Sequence, residues 1–560
     1  DTARFEALRA RIAGLNPRYA GFWVQLAELS ARNRLYDRAV RFGREAVALD
    51  AESWPGHAVL GVNLLRVGSM EEGRRHLEIA FEGDPYDVWT KNTLDLLDTF
   101  AGYETARSGR FELIVDDGEA EILGVYLPDL AEEAYARLAR RYGYRPEAPI
   151  RVEVFRSHAD FSVRTIGLVG LGALGVSFGP VIAMDSPSAR EPGDFNWGST
   201  FWHELAHTFH LGMSDGRVPR WFSEGLAVYE ERRARPGWGG DVTPSFLLAH
   251  LEGRLLSVGE LNRGFARPSY PEQVIHSYYQ ASLVCELIER EAGWGALVGM
   301  LHAYRDGLTD EEAFQSVLGT DVDDFSDRFF AYLEDRFAGP LKALAPARVF
   351  EGQPSREELK ERAAADPNDF IAQLSYGHVL AEGGRYDEAI PYMERAKAAF
   401  PEFAGAGSPY HYLAFIYRER GELERAEAEL AALTAINERD LEANLALAEI
   451  RQALDDKTGA AEALARTAYI YPYDPTPHVR LAELYAATGD LAGAVRERRA
   501  VLALDPVDRV EALYQLARAY YAAGDLGSAR RTVLSALERA PAYEAAQELL
   551  LEIHARGGGS

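Results

Sequence analysis

Apolar positions along the chain follow two different rhythms. Near the start, "LYDRAVRFGREAVALD" and "SMEEGRRHLEIAFEGD" carry apolar residues at helical spacing and align with each other. Ala39 and Gly73 stand 34 residues apart, as do Asp50 and Asp84. The same unit returns late in the chain, for example in "RYDEAIPYMERAKAAFP" and "DLAGAVRERRAVLALDP". Its helices open on Ala389, Ala426, Ala460, Ala494 and Ala529, at successive offsets of 37, 34, 34 and 35. Each is preceded by a helix such as "VRLAELYAATG". A small residue is needed where the second helix of a pair meets the first. One pair cannot bury its apolar stripe alone, so neighbours stack into a superhelix. About two units fall within residues 10–100 and five within 365–550.

The period and the small–large pattern resemble tetratricopeptide repeats. The expected organisation is a helical array over 1–104, a different domain over 105–345, a second array over 346–556 and a linker-like tail, 557–560. The middle lacks the repeat. "RFELIVDD" alternates apolar and polar as a half-buried strand does. A helix follows, then a strand in "PIRVEVFRS" and a third in "PVIAMDSP". Glycine-rich "GLVGLGALGVSFG" has no phosphate-loop lysine and reads as a mobile loop. The fold class is therefore mostly α, with a central α+β domain between helical arrays.

Composition narrows the function classes. The 560 residues are too many for one core. A formal net charge of −27 repels phosphate backbones and argues against a nucleic-acid partner. No apolar run reaches the length of a membrane span. The single cysteine, Cys285, lies on an apolar helix face and reads as a buried, inert thiol. The first residue is Asp1, and an extracytoplasmic bacterial location with a removed leader is the expectation.

Chemistry concentrates in "STFWHELAHTFHLG", Ser199 to Gly212. His203 and His207 are four residues apart, so on a helix both imidazoles face one way and can reach one Zn²⁺. Glu204 points elsewhere and can reach a water held at that metal. Downstream, "VPRWFSEGLAVYEE" reads as a second helix presenting Glu224, which completes a His₂Glu set with one position open. His210 reads as a packed or hydrogen-bonded neighbour, Arg220 and Trp221 as helix-start packing with support of the ligands as the alternative, and Glu230 and Glu231 as solvated with a contact to a ligand histidine as the alternative.

"HELAH" followed by "WFSEGLAVYEE" resembles the gluzincin metallopeptidases, the clan of thermolysin and the zinc aminopeptidases. Similar domains occur embedded in bacterial tetratricopeptide proteins. The resemblance implies one zinc held by His203, His207 and Glu224, with Glu204 as general base. It also implies an oxyanion-binding tyrosine in "IHSYYQASLVCELIEREAG", where Tyr278 aligns best and Tyr279 or His276 are alternatives. An edge strand pairing with substrate is expected at Val181, Ile182, Ala183, Met184 and Asp185. The aminopeptidase glycine–x–methionine–glutamate–asparagine motif is absent, which leaves an endopeptidase open. The expected function is a zinc metallopeptidase acting on a peptide or protein, with the arrays recruiting or restraining substrate or a protein partner. The rival is a protein-binding tetratricopeptide scaffold whose peptidase-like domain is catalytically silent or gated. Zinc hydrolysis of a substrate other than a peptide also fits the ligand set.

Overall fold

The computed structural model describes residues 2–346 and 354–557. Of the linker-like tail, only Gly557 lies within the described residues. The N-terminal array contains the helix pairs Ala20–Arg32 with Tyr36–Leu49, and Trp54–Arg66 with Met70–Gly83. The C-terminal array contains five pairs, from Phe370–Glu382 with Tyr386–Ala399 to Arg509–Ala522 with Leu526–Arg539. Ala39, Ala389, Ala426, Ala460, Ala494 and Ala529 are all buried, as close helix packing requires.

Between the arrays lies one five-stranded sheet: β1 (Tyr103–Ser108), β2 (Phe111–Asp116), β3 (Ile150–Phe155), β4 (Gly175–Ser177) and β5 (Val181–Asp185). Their order is β1-β2-β3-β5-β4. β1 and β2 form a hairpin, β2, β3 and β5 run parallel, and β4 returns antiparallel on β5. The sheet begins at Tyr103, two residues before the expected boundary.

Two strand expectations change here. The glycine-rich segment is not all loop, because Gly175–Ser177 within it forms β4. And β5 is not an edge. Val181, Ile182, Ala183, Met184 and Asp185 are all buried, with β3 on one side and β4 on the other. Their backbone hydrogen bonds go to those neighbours, so they cannot also pair with a substrate strand. Asp185 is bound by His158 at 2.9 Å and Arg190 at 3.0 Å, which is structural work.

The long helix Asp117–Tyr142 packs on the sheet, and the histidine-bearing helix Trp197–Ser214 packs against both. One core unites these elements with the two helices that follow, and it continues into the C-terminal array through Phe370, Phe400, Ala468 and Ala500. Polar anchors reinforce that junction. Tyr126 donates to Glu497 at 2.7 Å, and the Trp197 indole donates to the Ala468 carbonyl at 2.9 Å. Among the described residues, no helix is long and apolar enough to cross a membrane.

Candidate metal centre

The ligand helix, Trp197–Ser214, begins where the Asn196 side chain accepts from the Ser199 backbone N–H at 2.8 Å. It ends at Asp215, left-handed at φ 49°. The chain then doubles back through Pro219 into the return helix, Arg220–Ala234. All but three residues of the ligand helix are buried. Phe201, Trp202 and Phe209 are almost fully enclosed, each contributing about 1.5–3 kcal/mol. That apolar jacket offsets the burial of His207, His210 and Glu204 on the same helix.

His203, His207 and Glu224 converge. His203 Nε2 lies 3.0 Å from His207 Nε2 and 3.3 Å from Glu224 Oε2, and His207 Nε2 lies 3.1 Å from that oxygen. Tetrahedral zinc with bonds near 2.0–2.1 Å places its ligand atoms about 3.3 Å apart. The donor set therefore fits a single zinc ion.

The groups behind these ligands orient them. His203 Nδ1–H donates to Glu231 Oε1 at 2.5 Å, and Ser199 donates to the other Glu231 oxygen at 2.5 Å. His207 Nδ1 meets the buried Ser223 hydroxyl at 2.8 Å. Both imidazoles thus turn Nε2 toward Glu224. The electrostatics agree. Burial disfavours a charged His203, yet Glu231 and Glu224 outweigh it and raise its pKa well above the ordinary value. Burial, partly opposed by Glu224, lowers His207 to about 4. Burial raises Glu224, but both histidines and Arg34 overcome this and hold it well below the ordinary range. Glu224 and Glu231 thus favour positive charge where His203 Nε2, His207 Nε2 and Glu224 Oε2 converge.

Glu204 is also buried. Its pKa is pushed up to about 8, first by burial and then by Glu224, against the pull of His203. A nearby divalent ion reverses that push. Gly175 of β4 lies directly against it: a Cβ there would come within 2.6 Å of Glu204 Cγ.

Gly225 allows the return helix to touch the Ala281 backbone of the next helix, Gln273–Ala292; a Cβ at Gly225 would meet the Ala281 carbonyl at 2.7 Å. That contact brings Tyr278 in, its ring 6.3 Å from the His203 ring. Tyr278 hydrogen-bonds Arg220, and burial, then Glu224, raises its pKa. Tyr279 instead packs on Phe246 beneath Arg232, and His276 bonds Ser245 and Tyr270. Of the three oxyanion candidates, Tyr278 alone borders the cluster.

Residues 130–335 match the family model described as the Peptidase MA superfamily. This chain carries a Peptidase MA superfamily domain. Tetratricopeptide repeat models match residues 355–402, and 475–500 with 510–534. Among solved structures, the chain is similar to YrrB, a TPR protein with an unusual peptide-binding site (16% identity, 35% of this chain and 98% of that one, TM-score 0.26). It is also similar to MamA (20% identity, 30% and 90%, TM-score 0.24) and to a thermophilic TPR protein from Thermus thermophilus (25% identity, 33% and 98%, TM-score 0.18). No curated protein matches the chain in sequence.

Within the superfamily domain, four other expectations are resolved. His210 is a packed neighbour, bound to Tyr142 at 2.8 Å. Cys285 is fully buried, and burial raises its thiol pKa well above the usual value. Glu230 and Glu231 are buried rather than solvated, and Glu231 takes the alternative, a contact to a ligand histidine. Glu230 pairs with Arg141 at 2.7 Å, and Glu231 holds His203. Glu231 follows Glu224 by seven residues, two helical turns, so the same-face spacing was the signal for it. Arg220 does more than pack, since its Nε donates to Glu224 Oε1 at 3.2 Å. Arg34 from the N-terminal array donates to the same oxygen at 3.3 Å, across a sequence gap that no local pattern spans.

Proposed function

We propose that the chain is a zinc-dependent metallopeptidase of the HExxH…E type, in which the repeat arrays recruit or restrain a peptide or protein substrate. The observation that carries this reading is the convergence of His203, His207 and Glu224 beside buried Glu204, within a Peptidase MA superfamily domain.

His203, His207 and Glu224 would hold the zinc, which would supply Lewis acidity and lower the pKa of a bound water. Glu204 takes the water proton and returns it to the leaving amine. Tyr278, with a pKa raised above the usual phenol value, keeps its proton and donates to the developing oxyanion. Glu231 and Ser223 hold the imidazoles in one tautomer and orientation. The substrate backbone adds to β4, the edge strand whose Gly175 lies against Glu204. Gly175 keeps that approach open.

The test is metal content and cleavage of a denatured protein by wild type and Glu204→Gln. The expected result is about one zinc in each, with cleavage falling about 10²–10⁴-fold in the variant and wild-type cleavage blocked by a chelator. The second reading is a partner-binding scaffold with a silent domain, drawn from arrays that together outspan the domain between them. It predicts zinc in both proteins and cleavage by neither.

A further inference from the structure

Among the described residues, Arg34 is the one residue outside the peptidase domain that reaches the ligand cluster. It sits in the turn between two N-terminal helices, Ala20–Arg32 and Tyr36–Leu49. Its backbone is left-handed at φ 59°. The other three non-glycine residues in that region, among those described, are aspartates, which tolerate it better. Such conformations persist where the surroundings fix them, and here they do. The Arg34 carbonyl and Leu35 lie against Gly216, at the turn joining the ligand and return helices. Tyr36 packs edge-on against Phe178, one residue beyond β4, with ring centroids 5.6 Å apart. The array therefore spans from the end of the edge strand to the metal-helix turn and holds Arg34 between them.

Two guanidiniums meet there. Arg34 Nη2 and Arg220 Nε both donate to Glu224 Oε1, the oxygen facing away from the histidines, at 3.3 and 3.2 Å. Their side chains are 31% and 45% exposed, so both also face solvent in front of the cluster. Glu224 is the only side-chain partner of Arg34 among the described residues, which leaves most of its N–H donors unspent. Charge gives them a direction. A dipositive ion beside Glu204, Glu224 and Glu231 leaves the site net negative, and two arginines reverse the sign.

We propose that Arg34 and Arg220 form an anion subsite beside the metal centre, and that the preferred substrates are peptides presenting a carboxylate near the scissile bond. The N-terminal array thereby supplies a specificity residue to a domain that does not encode it. This rests on the peptidase reading. The carboxylate comes either from a free C-terminus or from an acidic side chain, and guanidinium pairs with either in the same geometry.

The test measures binding to zinc-loaded Glu204→Gln protein, which holds peptide without turning it over. The probe is an N-acetylated alanine–leucine hexapeptide in three forms: amidated, with a free C-terminus, and amidated with one internal glutamate. At least one carboxylate form should bind about tenfold more tightly than the neutral one. Whichever form gains identifies the source. In the added Arg34→Gln background the gain should fall below about twofold, and Arg34→Lys should restore part of it. Zinc content and thermal melting, followed on each protein, confirm that the fold and metal persist. Equal affinity for all three forms with Arg34 intact overturns the subsite and needs no arginine variant. A preference that survives Arg34→Gln overturns it too. Binding of none of the three overturns the peptidase reading together with the subsite.

Discussion

The ligand helix and the repeat helices obey the same period and bury opposite things. In the repeat helix Leu526–Arg539 the buried side is Ala529, Val533 and Ala536, a stripe one residue wide. In Trp197–Ser214 almost every side is buried, and the enclosed residues include Glu204, His207 and His210. A repeat helix such as Leu526–Arg539 packs on its neighbours, so its buried stripe is apolar and small. The ligand helix is surrounded by sheet, long helix, return helix and C-terminal array, and that enclosure lets polar groups sit in a low-dielectric setting with their partners fixed. The arrays convert burial into shape, and the central domain uses it to hold a cluster of polar groups.

Substitutions at three places separate these uses of burial. The largest effect is expected at the ligands. His207→Ala or Glu224→Ala should take bound zinc from about one per chain to near zero, read by elemental analysis, with little change in helical content by circular dichroism. Metal retained by either variant breaks the contrast, because burial would then be serving packing alone. Next is Leu447→Ala, fully buried in the repeat helix Leu441–Ala453. It should cost about 2–5 kcal/mol in denaturant unfolding of the C-terminal array, while zinc content per folded molecule stays unchanged. Smallest is Glu286, on the helix that carries Tyr278. Arg232 of the return helix donates to it at 2.7 Å, and Arg336 also pairs with it. Burial raises its pKa, but the two arginines outweigh this and leave it below the ordinary value of 4.5. Its contribution is therefore complete above that ordinary value and lost as pH falls through the lowered one. Glu286→Gln should cost about 1–2 kcal/mol at neutral pH and leave less stability to lose on acidification, read as the shift of the denaturation midpoint with pH.

What the sequence made legible follows from distance along the chain. His203, Glu204 and His207 lie within two helical turns, and helix geometry alone decides what they face. Glu224 needed only one reversal of direction. The buried alanines of the repeats were visible because the pattern recurs. The edge of the sheet was not visible, since β5 becomes an inner strand only when β4 folds back upon it, and β4 is three residues hidden in a glycine-rich stretch. Glu231 carried a spacing signal, but charge alone reads as solvation. Arg34 stands 190 residues from its partner, in a segment whose pattern describes only a repeat.

Gly175 has a consequence for anyone classifying related chains. A single methyl group at that position would come within 2.6 Å of Glu204 Cγ, so either that side chain or β4 must shift. A relative with HELAH and WFSEG intact but alanine at this position would keep its His₂Glu cluster and crowd the glutamate between the two histidines. On the proposed metallopeptidase reading, two such chains would share every signature residue and differ by one carbon atom, on a strand that no signature includes.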